Sequence, residues 1–412
     1  MRIIPRRSIA HYKGELKDIL SSILRGAIRE GPCIEQFEKQ FAEYIGTKYA
    51  IAVASGRLGL FLILDSLSLD KDSGVILPAY TDESVPGVIK RLGLEPVFID
   101  IDQKTHNIDA GLIEEKVNEK TKVIIATHIF GRPCNLFKIM EIAKRHNLIV
   151  IEDCAHAIGA EYNAKRVGSI GNAAYFSFGI TKPLNTFGGG MITTNDPVLY
   201  SGIKKNMENF EYPNIFIIVK NIFISYYLFL ATSPLFFLII IFPILYSLSF
   251  FNIDPVIIYN STVKRIINIG RIKIKYTNIQ ALAGLKQLQR IDEVNKMRRL
   301  NAATLSRCLN RSIDTLQDEP ATNPTYYFFV ILTHNADSLS KKLLIKGIDT
   351  GKYIMRDCAA RCGNNKSCVS TQEAISTSLQ IPLYPQLQEK DIVYISGILN
   401  QIFNGSSAES IY

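Results

Sequence analysis

The sequence predicts an α/β protein: a mostly parallel, seven-stranded sheet covered by helices on both faces, followed by a smaller α+β unit. Two observations carry the prediction and a third complicates it. From about residue 35 to 195, short apolar runs alternate with stretches of helical periodicity, the pattern of parallel strands joined by crossover helices. From about 280 to 412 the order changes to a long helix, one strand and a final helix. Between these regions lies a run with no charge at all, from Asn221 to Ile253.

The strand-like runs in the first region are YAIAVAS, GVILP, EPVFID, KVIIATH, LIVIED, AAYFSF and GMITT. SGRLGLFLILDSL and NLFKIMEIAKRHN are helical stretches between them. No glycine fingerprint of a dinucleotide site follows the first strand, which argues against a nicotinamide enzyme. The later region reads as one long helix, NIQALAGLKQLQRIDEVNKMRRLNAATLSRCLN, then YYFFVIL (326–332) and a helix after Glu389. The expected division is 1–210 for the large unit with its N-terminal segment, 211–270 for the apolar insertion and 271–412 for the small unit.

At 412 residues the chain has room for two cores, and 21% charged residues with 26 glycines is ordinary for a globular protein. The net charge of +9 points to an anionic partner. With no nucleic-acid motif, that partner is a phosphorylated substrate or anionic lipid rather than nucleic acid. The seven cysteines are scattered, and MRIIPRRSIA lacks the apolar core of a secretory signal, so a reducing, cytoplasmic compartment is expected. Cys358, Cys362 and Cys368 lack paired C-x2-C spacing and a fourth ligand, so no metal site is expected.

The chemistry concentrates in IEDCAHAIGA (151–160) and AAYFSFGITKPLNTFGGGM (173–191). Asp153 ends one strand-like run, Ser177 lies at the end of the next, and Lys182 follows in a loop. Open α/β sheets bind ligands just beyond the carboxyl ends of their strands, so the three converge there. A carboxylate, a hydroxyl and an amine are the minimal set for pyridoxal phosphate: an anion for the pyridine nitrogen, a donor for the phosphate and a nucleophile for the aldehyde carbon. Taken singly, the Asp could instead cap a helix and the Lys could be solvated. The phosphate would also meet Gly56 and Arg57, where VASGRLGL turns from strand into helix and offers free N–H groups.

These pieces resemble the sugar aminotransferases of the DegT/DnrJ/EryC1/StrS family. The matching segments are EDCAHAIGA, GSIG (168–171), FSFGITK (176–182) and GGGM (188–191). In the family's order they are joined by GPCIEQFEKQFAEYIGTKYAIAVASG, LPAYTDESV, PVFIDID, IQALAGLKQL and IPLYPQL. The resemblance implies the pyridoxal-phosphate-dependent transferase fold of type I. It makes Lys182 the lysine that bonds the cofactor's aldehyde and Asp153 the partner of its ring nitrogen. It places His156 near the ring, and it implies a homodimer in which the partner subunit brings Lys273 to the phosphate, the alternative being a solvated basic strand. The implied activity is transfer of an amino group from an amino acid, with glutamate as the expected donor, to a nucleotide-linked or lipid-linked keto-sugar. The alternatives are a dehydratase or another reaction on a hydrophobic ketone, and a membrane-bound regulatory protein that keeps the fold without turnover. Two positions depart from the family: Arg57 stands where a threonine is usual, and Asp82 stands where an aromatic usually stacks on the ring, with Tyr80 as a substitute only if its side chain turns the right way.

The uncharged run exceeds the length of about 20 apolar residues that a membrane helix needs. A single crossing would place the halves of one catalytic unit on opposite sides, so the expectation is a re-entrant hairpin broken at Pro234 and Pro243, or an interfacial anchor on the cytoplasmic face. Lys204, Lys205, Lys220, Lys264, Arg265 and Arg271 flank it, as suits anionic headgroups. The alternative is an apolar contact inside an oligomer.

Overall fold

The computed structural model describes residues 2–250, 273–353, 355–363 and 368–409. Residues 251–270 of the expected insertion, and with them Lys264 and Arg265, lie outside the described residues, as does Arg271.

Every one of the seven apolar runs forms a strand: β1 Tyr49–Val53, β2 Gly74–Pro78, β3 Glu95–Ile99, β4 Thr121–Thr127, β5 Ile149–Asp153, β6 Ala173–Ser177 and β7 Gly190–Thr194. They make one sheet in the order β1-β7-β6-β5-β4-β2-β3. The neighbours from β6 to β3 are parallel, and β7 is antiparallel to β6 and β1. Alternation along the strands divides the core between the two faces. Val150, Phe176 and Met191 pack with α2 (Cys33–Ile45) and α5 (Leu136–Arg145). Their neighbours Ile151, Tyr175 and Ile192 pack on the other face with α3 (Gly56–Ser66), α4 (Ser84–Arg91) and α6 (Pro197–Met207).

The expected long helix is two helices, α9 (Asn278–Leu288) and α10 (Ile291–Cys308). α9 opens on a Thr277–Gln280 capping box and seats Gly284 on Phe37, where a Cβ would come within 2.5 Å of the ring. Asp292 and Glu293 then fill the first turn of α10, where carboxylates suit the free N–H groups. Tyr276, Ala281, Leu285 and Leu288 therefore join the core of the large unit although they follow residue 271. The small core gathers Leu305 of α10 with β8 (Phe329–Leu332), α11 (Ala336–Ile345), β9 (Ser378–Ile381) and α12 (Glu389–Glu409). Ile4 reaches into it from the N-terminal segment, which Arg6 pins through two hydrogen bonds to Asp349, at 2.8 and 2.6 Å.

The apolar insertion forms α7 (Ile215–Ala231) and a second helical segment, α8 (Pro234–Leu248), bent by 68° at the break between them. Pro234 sits in the first turn of α8, where its missing N–H costs nothing. Pro243 does not break the chain as expected. It follows a π-helical turn at Phe237–Ile241, whose wider spacing accommodates the lost donor. Among the described residues no single helix is long and apolar enough to cross a membrane, although the bent pair passes that test together. α7 instead packs Ile218 against Ile19 of α1 (Glu15–Leu24), Phe187 and Ile279.

The loop after β4 joins the two units. Phe130 and Gly131 both have positive φ, 54° and 84°, and Thr325 N–H donates to Gly131 O at 2.9 Å. A Cβ on Gly131 would meet Thr325 Oγ1 at 2.6 Å and Tyr327 N at 2.8 Å. Gly131→Ala is therefore expected to cost about 1 to 3 kcal/mol in urea unfolding, from strain at positive φ together with this overlap.

Candidate active site

The site is built at the carboxyl ends of β5 and β6. Glu152 and Asp153 are consecutive in β5, so their side chains face opposite sides of the sheet. Glu152 is fully buried and accepts N–H groups from Gly168 (2.8 Å), Ile170 (2.8 Å) and Gly171 (2.7 Å), as well as His128 Nε2 at 3.1 Å. Burial alone would raise its pKa, but His128 and the backbone donors outweigh that and hold the carboxyl below its ordinary value. His128 Nδ1 accepts from Cys134 N–H at 3.2 Å, which places a ring proton on Nε2, facing Glu152. Cys154 lies with them, all ligand atoms within 4.8 Å. Burial pushes its thiol up to about 12, and the hydrogen bonds of Glu152 and His128 brace the end of β5.

Asp153 is 6% exposed and accepts Ala155 N–H at 3.0 Å. Burial raises its pKa, while Tyr175 and the charge of Lys182 pull the other way. Tyr175 is its cross-strand partner in β6, with a hydroxyl that lies close by but short of full hydrogen-bond geometry. A carboxylate held in this way suits a protonated ring nitrogen better than bulk solvent would.

Ser177 lies beside the start of α3. A Cβ on Gly56 would come within 3.2 Å of Ser177 Cβ and of Phe176 O, closer than ordinary van der Waals contact, so glycine eases the approach. Ser55 caps the helix by accepting Leu58 N–H at 3.2 Å, which leaves the N–H groups of Gly56 and Arg57 directed outward at the helix terminus. Arg57 is half-buried. Burial lowers the pKa of its guanidinium, and the charge of Asp82 opposes that. Asp82 itself is exposed and accepts from Ser84 N at 2.9 Å.

Lys182 follows β6 in a turn closed by its own N–H to Gly179 O at 2.8 Å. Its Nζ lies 5.0 Å from the centre of the Tyr327 ring, and the Tyr327 hydroxyl donates to Thr181 O at 3.1 Å. The loop continues through Asn185, whose Nδ2 donates to Ser225 Oγ on α7 at 2.8 Å and whose N–H donates to Gln287 on α9 at 2.8 Å. His156 is half-buried among aromatics, 4.7 Å from Tyr327 and nearly parallel to Phe130 at 6.2 Å. Burial and the nearby Lys182 charge keep its pKa well below the ordinary value, so it is a neutral aromatic ring.

Asp153, His156 and Lys182 thus lie within one another's electrostatic reach, and Gly56, Arg57 and Ser177 form a second group at the start of α3. Lys273 is exposed beside the Glu211–Ile274 bridge and is not in either group. Tyr80 is fully buried against Phe130 and His106. The residues that sequence reasoning missed are Tyr327, Phe130 and Asn185. Only YYFFVIL hinted at the first, since a tyrosine in an otherwise apolar strand needs a partner for its hydroxyl.

The model of the DegT/DnrJ/EryC1/StrS aminotransferase family matches residues 11–211 and 259–400, most of the chain. The chain belongs to that family. It is 28% identical over 380 residues to the GDP-perosamine synthase of Escherichia coli O157:H7, covering 91% of each. It is 42% identical over 190 residues to the dTDP-3-amino-3,6-dideoxy-alpha-D-galactopyranose transaminase of Aneurinibacillus thermoaerophilus, covering 46% of this chain and 52% of that one. The chain spans about half the length, 49%, of the first curated relatives it matches. Among solved structures, the aminotransferase TlmJ from Streptoalloteichus hindustanus shares the fold with a TM-score of 0.78 at 20% identity, covering 98% and 99% of the two chains.

The brace behind Asp153 yields a prediction. Glu152→Ala strands His128 and three backbone N–H groups, and should cost about 3 to 5 kcal/mol in urea unfolding. Because the folded carboxyl titrates below its unfolded value, its contribution is full above about pH 4.3 and is lost as pH falls through the lower, folded value. Glu152→Gln should flatten that part of the stability-versus-pH curve.

Proposed function

We propose that this chain is a pyridoxal-phosphate-dependent aminotransferase that moves an amino group from glutamate to the keto group of a nucleotide-linked sugar. The observation that carries the reading is the Lys182 amine within electrostatic reach of the buried Asp153 carboxylate, with Ser177 at the end of the neighbouring strand beside the start of α3. The two curated relatives named above, both makers of nucleotide-linked amino sugars by name, support the substrate class.

When bound, the cofactor supplies an aldehyde that carries the amine and a ring that accepts electrons. Asp153 would hold the ring nitrogen protonated. His156, neutral and aromatic, would lie against the ring. Ser177 Oγ and the N–H groups of Gly56 and Arg57 would bind the phosphate, with the Arg57 guanidinium adding charge that Asp82 partly offsets. Lys182 Nζ would bond the aldehyde carbon at rest and, once released by substrate, would carry the proton to and from the reacting carbon. Tyr327 closes over that amine from the small unit, its hydroxyl held on the Lys182 loop. A lysine here favours amino transfer over dehydration, because relatives that dehydrate sugars carry histidine.

The same reading includes a homodimer in which Lys273 of one protomer serves the phosphate of its partner, and contact of residues 221–253 with the cytoplasmic face of a membrane. The exposed apolar side chains of α7 and α8 favour a second reading of the substrate, a lipid-linked sugar, since such an enzyme meets its substrate at the bilayer.

Lys182→Ala should lose the violet absorbance of the holoprotein and all amino transfer while keeping its fold by circular dichroism. Retained turnover would overturn the assignment. Asp153→Asn should keep the cofactor but slow the half-reaction with glutamate about a hundredfold or more in stopped-flow spectroscopy. A rate near that of the wild type would make Asp153 structural. Mass spectrometry of products from nitrogen-labelled glutamate and a panel of nucleotide-linked and lipid-linked keto-sugars should show the label in a nucleotide-linked amino sugar. Loss of water without label would support the dehydratase instead.

A further inference from the structure

We propose that α1 and the α7–α8 pair form one continuous surface that docks on an anionic phospholipid bilayer. The inference rests on the membrane reading of residues 221–253 and adds to it a helix encoded two hundred residues earlier. α1 buries Glu15, Ile19 and Ser22, yet it exposes Leu16 (56%), Leu20 (59%), Ile23 (43%) and Leu24 (87%). These positions fall on one face of the helix. On α7, Phe216 (78%) and Phe223 (70%) are exposed while Ile218, Ser225 and Ala231 are buried. α8 continues the apolar surface with Leu235 (69%) and Ile239 (62%).

The helices that present these side chains are joined to each other. Tyr226 Oη on α7 donates to Glu15 Oε2 on α1 at 2.8 Å, Ser225 Oγ lies 3.3 Å from His11 Nε2, and Ile19 packs in the same cluster as Ile218. The surface is therefore a shared one, and a soluble protein rarely exposes a contiguous apolar patch beyond a few hundred Å².

Charge selects the occupant. α7 carries one charged residue, Lys220, and it is exposed, while α8 carries none. Around α1 the exposed cations are Lys13, Lys17, Arg25 and Arg29, with Glu30 the exposed acid. The acids within α1 are occupied: Glu15 is buried, and Asp18 accepts the Tyr12 hydroxyl at 3.0 Å. Two copies meeting across a twofold axis would set these cations against one another with few acids to answer them. Lipid phosphates answer them directly.

Neither helix alone is long enough to cross. At about 1.5 Å per residue, α7 and α8 are each about 22 to 26 Å long, short of the hydrocarbon core of about 30 Å. The 68° bend turns α8 well away from the axis of α7, so the pair does not stand as one straight span.

The test is flotation of full-length holoprotein on vesicles of pure phosphatidylcholine and of phosphatidylcholine with phosphatidylglycerol, with violet absorbance as the control for folding. Wild-type protein should float with the anionic vesicles. Leu20→Glu combined with Leu24→Glu should reduce the bound fraction at least about tenfold, as expected when two buried leucines are lost. Lys13→Gln, Lys17→Gln and Arg25→Gln together should erase the preference for phosphatidylglycerol. If the leucine variant keeps its absorbance and floats like wild type, α1 lies outside the surface and the proposal fails, while attachment through 221–253 alone still stands. If wild-type protein stays at the bottom with both vesicles and runs as a dimer that the leucine variant breaks, the surface is a contact between copies and both membrane readings fail.

Discussion

Glu152 and Asp153 follow one another in the central strand, so a carboxylate faces each side of the sheet, and the site depends on that alternation. On one side, Glu152 gathers the Gly168–Gly171 turn and His128 into a buried brace that sets the end of β5. On the other, Asp153 is left with one backbone donor in a buried setting, a condition that favours a cationic partner. A one-residue slip in β5 would exchange the two roles, placing the fully satisfied carboxylate at the site and the available one in the brace. Parallel pairing of β5 with β4 and β6 opposes such a slip, because Ile151 and Val150 would each move into the wrong core.

The Lys182 loop is held by four separate parts of the chain, one of them the N-terminal segment through Ala10 O. Tyr327 contacts it from the small unit, Gln287 from α9 and Ser225 from α7. The loop is thus a junction where movement of the small unit and anything that contacts α7 both meet the amine. The apolar insertion is accordingly packed into the large unit: Ser225 of α7 shares the Asn185 Nδ2 with Ala10 O of the N-terminal segment, and α7 is not a tail hung from the outside.

Most of the sheet was legible because strands buried on both faces read as unbroken apolar runs, and all seven did. Asp153, Ser177 and Lys182 stood out as candidates for a different reason: the first two close their strands and the third follows the second, where strand ends meet ligands. Tyr327 was hidden by distance, 145 residues beyond Lys182, and by its neighbours, since YYFFVIL does not say which tyrosine turns inward. Even the strand begins later than the run, at Phe329, because Tyr326 adopts a positive φ of 46°. The break between α9 and α10 left no trace either, for helical periodicity continues through Gln289 and Arg290, and only packing on Phe37 sends α9 into the large unit. Asn185 looked like an ordinary loop amide, and its value comes largely from partners distant in sequence, Ala10 in the N-terminal segment, Ser225 on α7 and Gln287 on α9.

The central claim is that the Lys182 amine is the group that bonds the cofactor. Borohydride reduction of the holoprotein, followed by peptide mapping by mass spectrometry, tests it most directly. The account predicts that the reduced pyridoxal phosphate mass falls on the peptide containing Lys182 and on no other lysine. Finding that mass on a different lysine, or finding no covalent cofactor in a protein that retains its violet colour, would contradict the account.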